Sequence, residues 1–254
     1  MFDFVLMNFG EYLRYLLLMI FAPRSLKTME WRMLKLLNKD RKRHGLKPVR
    51  MQDDLRDVAR KHSSDMAKKD YFDHVNLKSQ SPSDRLKGAR VSDVISGENL
   101  AKVGGYGNPT QFAEKGLMNS PGHRANILNG LYNAVGIGVV RNPRKVYFFT
   151  QNFAKRYLIF RKRIPKTVGF KHGLHLKGDS FSQVHKIICH VKKPKIDTVL
   201  QEHLFEVKNG VFSFTVAFDK RGNYEVWLYV DSGQQGKYTL ANHFLLKVRK
   251  GLFF

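Results

Sequence analysis

The hydrophobic pattern of the chain changes its period near residue 134. Before that point apolar residues recur every three or four positions, as in residues 55–66, which place Leu55, Ala59 and Met66 on one helical face. Beyond it they alternate, as in residues 211–218, which place Phe212, Phe214, Val216 and Phe218 on one face of a strand. The sequence therefore predicts an α+β protein, with helices first and strands last.

Breaks in this pattern divide the chain into four predicted parts. Residues 25–156 hold the helices and a pair of strands, 134–140 and 146–153, whose glycines would let another backbone approach closely. Residues 157–180 carry Pro165, Gly169, Gly173 and Gly178, which predicts a linker. Residues 181–254 contain short strands separated by turns, which is typical of a small immunoglobulin-like β-sandwich.

Residues 1–24 form a predicted leader. The apolar run 13–22 is short for a membrane span and suits the hydrophobic region of a signal peptide. Asp3 and Glu11 are acidic, however, and no small-x-small cleavage site precedes Pro23. A signal peptide or membrane-associated leader is the favoured interpretation, and an amphipathic helix packed on the following domain is the alternative.

The net charge of +24 limits the classes of partner. Lys and Arg are spread along the chain, and such a field attracts any polyanion, whether nucleic acid, acidic lipid or an anionic cell-wall polymer. No nucleic-acid-binding motif is present, which makes nucleic acid the least favoured of these partners. Cys189 is the only cysteine, so an internal disulfide is excluded, and its apolar neighbours predict a buried side chain.

Residues 119–128 predict the start of a helix that carries a histidine. Ser120 is a suitable N-cap and Pro121 suits the first helical position. His123 then lies in the first turn, where the helix dipole disfavours the imidazolium and favours the neutral ring. Because His123 and Ile127 are four residues apart, they share a face, and we expect the histidine to be partly buried.

His74, Glu98 and His123 are the candidate site residues, because each lies in a predicted loop or at a helix start. Two imidazoles and a carboxylate are a common ligand set for Zn²⁺ with an open position, and they can equally perform acid–base chemistry. Their spacing does not by itself bring them together. His62, in contrast, lies in an apolar stripe and is predicted to be a core histidine with a hydrogen-bond partner.

Five motifs carry a family resemblance. They are Tyr-Phe-Asp-His-Val-Asn at 71–76, Ser-Pro-Ser-Asp-Arg at 81–85, Gly-Glu-Asn-Leu-Ala at 97–101, Leu-Met-Asn-Ser-Pro-Gly-His-Arg-Ala-Asn-Ile-Leu at 117–128 and Thr-Gln-Asn-Phe at 150–153. In order and spacing, residues 30–155 resemble the CAP superfamily, and more narrowly the bacterial SCP-like (YkwD-type) extracellular domain. The resemblance implies an α-β-α sandwich around an antiparallel sheet. It also implies a shallow cleft formed by His74, Glu98 and His123, where some members bind a divalent metal ion.

The chain departs from the family pattern at three points, one of which is the absence of the glycine usual after His-x-Asn, around residues 78–81. The second glutamate of eukaryotic members falls near Asn119 or Ser120, while Glu114 lies one helix turn early and is predicted to face solvent. Leu117 replaces the usual tryptophan. These differences affect the shape of the expected cleft more than the fold.

Three functions follow from the resemblance. The leading one is a secreted or surface-associated binding protein whose cleft holds Zn²⁺ or another divalent cation, with the β-domain as an adhesion or spacer module. Its charge would attach it to an anionic envelope polymer or lipid surface, and a protein or peptide ligand is a further possible partner. The second is a metal-assisted hydrolase acting on peptide or cell-wall substrates through His74, Glu98 and His123. The third is lipid binding.

Overall fold

The computed structural model describes residues 25–91, 93, 95–180, 184–231 and 236–250. The predicted leader, residues 1–24, lies outside this range. Within it the chain divides into two compact units. The first contains the described residues up to Pro82 together with Gly97–Phe153, and the second contains those in Ser83–Ser96 and from Ala154 onwards. No helix in the described part of the chain is long and apolar enough to span a membrane.

Residues 25–155 contain both helices and strands. The helices are α1 (Leu26–Arg43), α2 (Asp53–Lys69), α3 (Pro82–Gly88), α4 (Pro109–Asn119) and α5 (Pro121–Ile127). The strands are β1 (Arg50–Met51), β2 (Ile95–Val103), β3 (Ala134–Arg141) and β4 (Tyr147–Lys155). They form one sheet in the order β1-β3-β4-β2, with β1 parallel to β3. Strand β2 is therefore an edge strand.

Strand β3 organises the first unit because its two faces differ. Gly136 and Gly138 face α2, and a Cβ on either would lie 2.1–2.2 Å from the backbone of that helix. Val135, Ile137 and Val139 point to the other face, where they share a core with buried residues of α1, α4 and α5. The unit is thus an α-β-α sandwich, and the prediction that the glycines of β3 permit close approach of another backbone is confirmed.

The described residues from Leu158 onwards form eight strands in two sheets. They are β5 (Leu158–Phe160), β6 (Thr167–Gly169), β7 (Leu174–Ser180), β8 (Lys186–Lys192), β9 (Val199–Glu206), β10 (Val211–Val216), β11 (Gly222–Asp231) and β12 (Tyr238–Arg249). The sheet orders are β10-β7-β5 and β6-β12-β11-β8-β9. Residues of both sheets form one apolar core, which includes Cys189. This β-rich second domain, following the helical one, confirms the α+β class.

Residues 157–180 are not the predicted linker, because they form β5, β6 and β7. Gly178 lies where a Cβ would be 2.1 Å from the carbonyl oxygen of Ile159, and Gly173 adopts a φ of +65°. These glycines therefore serve close strand packing and a tight turn, which a sequence cannot distinguish from the glycines of a flexible segment.

The domain boundary also differs from the single one predicted at residue 156. Residues 83–96 belong to the second unit. Asp93 accepts two hydrogen bonds from the Arg156 guanidinium, at 2.9 and 2.8 Å, and both side chains are buried. Arg90 donates to the carbonyl of Ile164. These contacts hold residues 83–96 in the unit whose remainder begins at Ala154.

Candidate functional site

His74 and Glu98 meet at the edge of the first unit's sheet. Glu98 extends from β2 with a side chain only 2% exposed, whereas the His74 side chain, in the loop after α2, is 48% exposed. The Nδ1 of His74 lies 2.9 Å from the Oε1 of Glu98. Because an ionised carboxylate can only accept, Nδ1 carries the proton, and Nε2 is then the nitrogen with a lone pair.

Asn152 fixes the other oxygen of the Glu98 carboxylate. With its amide oriented to satisfy both neighbours, the Asn152 nitrogen donates to Oε2 of Glu98 at 3.1 Å, and its oxygen accepts from the backbone N–H of Ala59 at 3.3 Å. Glu98 is therefore held between His74 on one side and a buried amide on β4 on the other. A carboxylate bound at both oxygens orients the imidazole rigidly.

His123 lies beside this pair on the short helix α5. The pKa of His123 is lowered, first by burial and second by the proximity of His74. The predicted half-buried, neutral ring agrees with this result, although burial rather than the helix dipole is the main cause. His74 and His123 are thus close enough to influence each other electrostatically, while Glu98 contacts His74.

Asparagine side chains tie α5 to the edge strand. Asn99 donates to the carbonyl oxygen of His123 at 3.0 Å. Asn126 donates to the carbonyl of Glu98 at 3.2 Å and to Oδ1 of Asn99 at 2.9 Å. The backbone of the residue that carries one imidazole is therefore linked to the strand that carries the carboxylate.

Ser120 occupies the predicted N-cap position of α5, and Pro121 follows at its start. The predicted cap hydrogen bond is nevertheless wrong, because the Ser120 side chain makes none. Ser120 also ends α4. Its backbone therefore serves as the C-cap of one helix and the N-cap of the next.

Glu114 is buried, so the prediction that it faces solvent is wrong. Its side chain belongs to the face of α4 formed by Thr110, Ala113 and Leu117, and Gln151 donates to its Oε2 at 2.9 Å. Gln151 in turn accepts from Asn99 at 3.1 Å. Burial raises the pKa of Glu114 to about 8. A hydrogen-bonded chain thus runs from this carboxyl group to the asparagine that holds His123.

Arg41 is a structural support that the sequence interpretation missed. Its buried guanidinium donates to the carbonyls of Lys47, Ile127, Asn129 and Tyr132. The Ile127 carbonyl belongs to the last residue of α5, so Arg41 holds the C-terminal end of the helix that carries His123. A signal was present in the sequence, since Met33, Leu37 and Arg41 recur at intervals of four along one face of α1.

His62 and Cys189 lie where the sequence predicts. His62 is buried on α2, with Nε2 3.0 Å from the carbonyl oxygen of Asp73, and is a hydrogen-bonded core residue. Cys189 is buried in the second unit, where burial raises the pKa of its thiol to about 12. A thiol with such a pKa is not a nucleophile at neutral pH.

Glu98 is a hydrogen-bond partner of His74 rather than part of a three-residue ligand set. Among the described residues, no group of three or more His, Cys, Asp or Glu side chains is arranged to hold a metal. Both oxygens of Glu98 are already hydrogen-bonded. Its contact with His74 is the one that carboxylates commonly make to a metal-binding histidine.

Known proteins resemble this chain over the helical part. Residues 34–153 match the CAP family, described as the cysteine-rich secretory protein family. The uncharacterised protein YkwD of Bacillus subtilis is 40% identical over 132 residues, which cover 52% of this chain and 49% of YkwD. The uncharacterised membrane protein YlbC of the same organism is 38% identical over 130 residues, 51% of this chain and 35% of YlbC. The chain therefore spans half or less of these relatives.

A solved structure gives a similar result. It is described as an extracellular protein containing a SCP domain from Bacillus anthracis, and its sequence is 32% identical. The match covers 51% of this chain and 41% of the other, with a TM-score of 0.46. His74, Glu98 and His123 all lie within the region 34–153 that matches the family.

Proposed function

We propose that the protein, whose residues 34–153 match the CAP family and resemble YkwD, is a secreted or surface-associated binding protein whose cleft holds a divalent metal ion. The observation that carries the proposal is the 2.9 Å contact between His74 Nδ1 and the buried Glu98 carboxylate. An extracellular setting is supported by the description of the matched family as the cysteine-rich secretory protein family.

His74 and His123 would hold the ion, with Glu98 as their support. The Glu98 contact fixes the tautomer in which Nε2 of His74 is the ligating nitrogen. The lowered pKa of His123 keeps that ring neutral, and a neutral imidazole is the form that binds a metal. When bound, Zn²⁺ would supply a Lewis-acidic position for a ligand oxygen or nitrogen.

The strongly basic composition supports attachment to the envelope. A net charge of +24 creates a field that concentrates the protein on anionic polymers or acidic lipids. In this proposal the CAP domain carries the metal cleft, and the second domain contributes to attachment.

Zinc titration of the full chain by calorimetry tests the cleft. We expect His74→Ala and His123→Ala each to weaken Zn²⁺ binding at least tenfold, because each removes one ligand. Glu98→Gln should weaken it by about 10–100-fold, as removal of a second-shell partner typically does. His172→Ala, a change at an exposed histidine of the second unit, is the matched control and should bind like the wild type.

Equal zinc uptake by the wild type and the His74→Ala/His123→Ala double variant would refute the metal proposal. Circular dichroism of each variant must match the wild type, so that a loss of binding reports the site rather than the fold.

A further inference from the structure

A cavity of about 400 Å³ opens on the second unit beside β7, where the chain leaves the end of β5. The basic residues that line it are Arg161, Lys162, Arg163, His175 and Lys177, and Phe160 contributes an apolar wall. None of the described residues that line it is acidic. We call this cavity the β5–β7 basic pocket. A concentration of basic side chains around one cavity favours an anionic ligand.

The pairing of β5 with β7 positions the residues that line the pocket. Ile159 of β5 pairs with Asp179 of β7, and just beyond β5 the N–H of Arg161 donates to the carbonyl of Lys177 at 2.9 Å. The Arg161 guanidinium binds both oxygens of Asp179, at 3.1 and 2.7 Å. Asp179 therefore offsets the charge of Arg161. Asp179 also interacts with Lys177, and Lys162 and Arg163 complete the basic lining of the cavity.

Buried contacts hold the loop that follows β5. Ile164 is buried, and its carbonyl accepts from Arg90 at 3.1 Å. On the facing strand, Nδ1 of His175 lies 3.1 Å from Oγ1 of Thr215, which orients that ring. These contacts position the backbone of the loop and the His175 ring at the pocket.

We propose that the β5–β7 basic pocket binds the phosphate group of an anionic envelope component. Arginine and lysine together suit phosphate, since the guanidinium fork matches its oxygens and the ammonium adds a point charge. The pocket volume lies in the range of sites for small ligands, and so accommodates one phosphate-bearing unit. The inference rests on the proposed attachment to the envelope and names the part of the second unit that performs it.

Binding of the full chain to two phosphate sources tests the pocket. The probes are soluble poly(glycerol phosphate) and vesicles of phosphatidylcholine with and without phosphatidylglycerol. Polyglutamate serves as a carboxylate polyanion. The variant Lys162→Ala/Arg163→Ala/Lys177→Ala removes three charges from the pocket. The matched control, Lys186→Ala/Lys208→Ala/Lys220→Ala, removes three from exposed positions of the same unit.

We expect the pocket variant to bind the phosphate probe about tenfold or more weakly and the control variant less than about twofold more weakly. Whichever probe the wild type prefers identifies the source as polymer or lipid. If both triple variants lose the same affinity for the phosphate probe, the pocket is not the binding site and the attraction is diffuse. The same conclusion follows if the wild type binds polyglutamate as tightly as the phosphate probe. If the wild type binds none of the probes, the proposed attachment itself fails, and the pocket with it.

Discussion

Glu114 gives the molecule a pH-dependent stability. Its pKa is raised by burial from the usual 4.5 to about 8, so between these values the folded state keeps a proton that the unfolded state has lost. Stability from this group is therefore complete below about pH 4.5 and falls as pH rises to about 8, by up to about 1.4 kcal/mol per pH unit. We predict that Glu114→Gln removes this slope, because the amide oxygen accepts the same hydrogen bond from Gln151 without ionising.

Urea denaturation of the full chain at pH 5 and pH 8 measures that slope. Asp53→Asn is the control, since that carboxylate is 85% exposed and lies at the start of α2. If Glu114→Gln and the wild type lose the same stability between the two pH values, the buried carboxyl is not the cause.

Individual site residues could be predicted from motifs, but their partners could not. His74 and Glu98 were expected to share a cleft, and the structure joins them by a hydrogen bond. The burial of Glu114 and Arg41 was not predicted from the sequence. A charged residue on an apolar helix face is expected to be exposed unless its buried partners are known. For Glu114 the partner is Gln151, on β4 and distant in sequence, and for Arg41 three of the carbonyls follow α5 or end it.

At the scale of elements, the contact between α2 and β3 decides where the site residues lie. We predict that Gly138→Ala destabilises the protein by about 2 kcal/mol or more, because the new Cβ would lie 2.2 Å from the backbone nitrogen of Arg60 and the helix would have to move. The same shift would disturb Ala59, whose N–H holds the Asn152 amide against Glu98.

Gly116→Ala is the matched control for that change. Gly116 lies in α4 with open space around its Cα, so alanine there should stabilise the helix by up to about 1 kcal/mol. Denaturation midpoints of the two variants compare them directly, and a Gly138→Ala protein as stable as the wild type would show that α2 is not seated on β3 as described.

The period of the hydrophobic pattern predicted the type of most elements, and it predicted the role of the glycines in β3 but not in residues 157–180. In β3 the glycines interrupt an apolar strand and were interpreted as points of close approach, which Gly136 and Gly138 confirm. In residues 157–180 the glycines stand among basic residues and a proline, and a linker was predicted where β5, β6 and β7 form. The amino-acid composition of a short segment does not show whether its glycines pack against a neighbouring strand or belong to a flexible linker.

At the scale of the whole molecule, the chain passes between its two units more than once. Residues 83–96 leave the first unit to join the second, and Gly97 returns to the first. No local sequence pattern predicts that residues 83–96 join the second unit. Their place there involves the buried ion pair of Asp93 and Arg156, which are far apart in sequence. Glu98 of the candidate site follows directly after the return.

The most direct test of the metal-binding cleft is anomalous diffraction at the zinc edge from crystals of the full chain soaked in zinc. We predict a peak about 2.0–2.1 Å from Nε2 of His74 and from an imidazole nitrogen of His123, with Glu98 still hydrogen-bonded to Nδ1 of His74. No peak between the two histidines at saturating zinc, or a peak there that persists in His74→Ala/His123→Ala crystals, would contradict it.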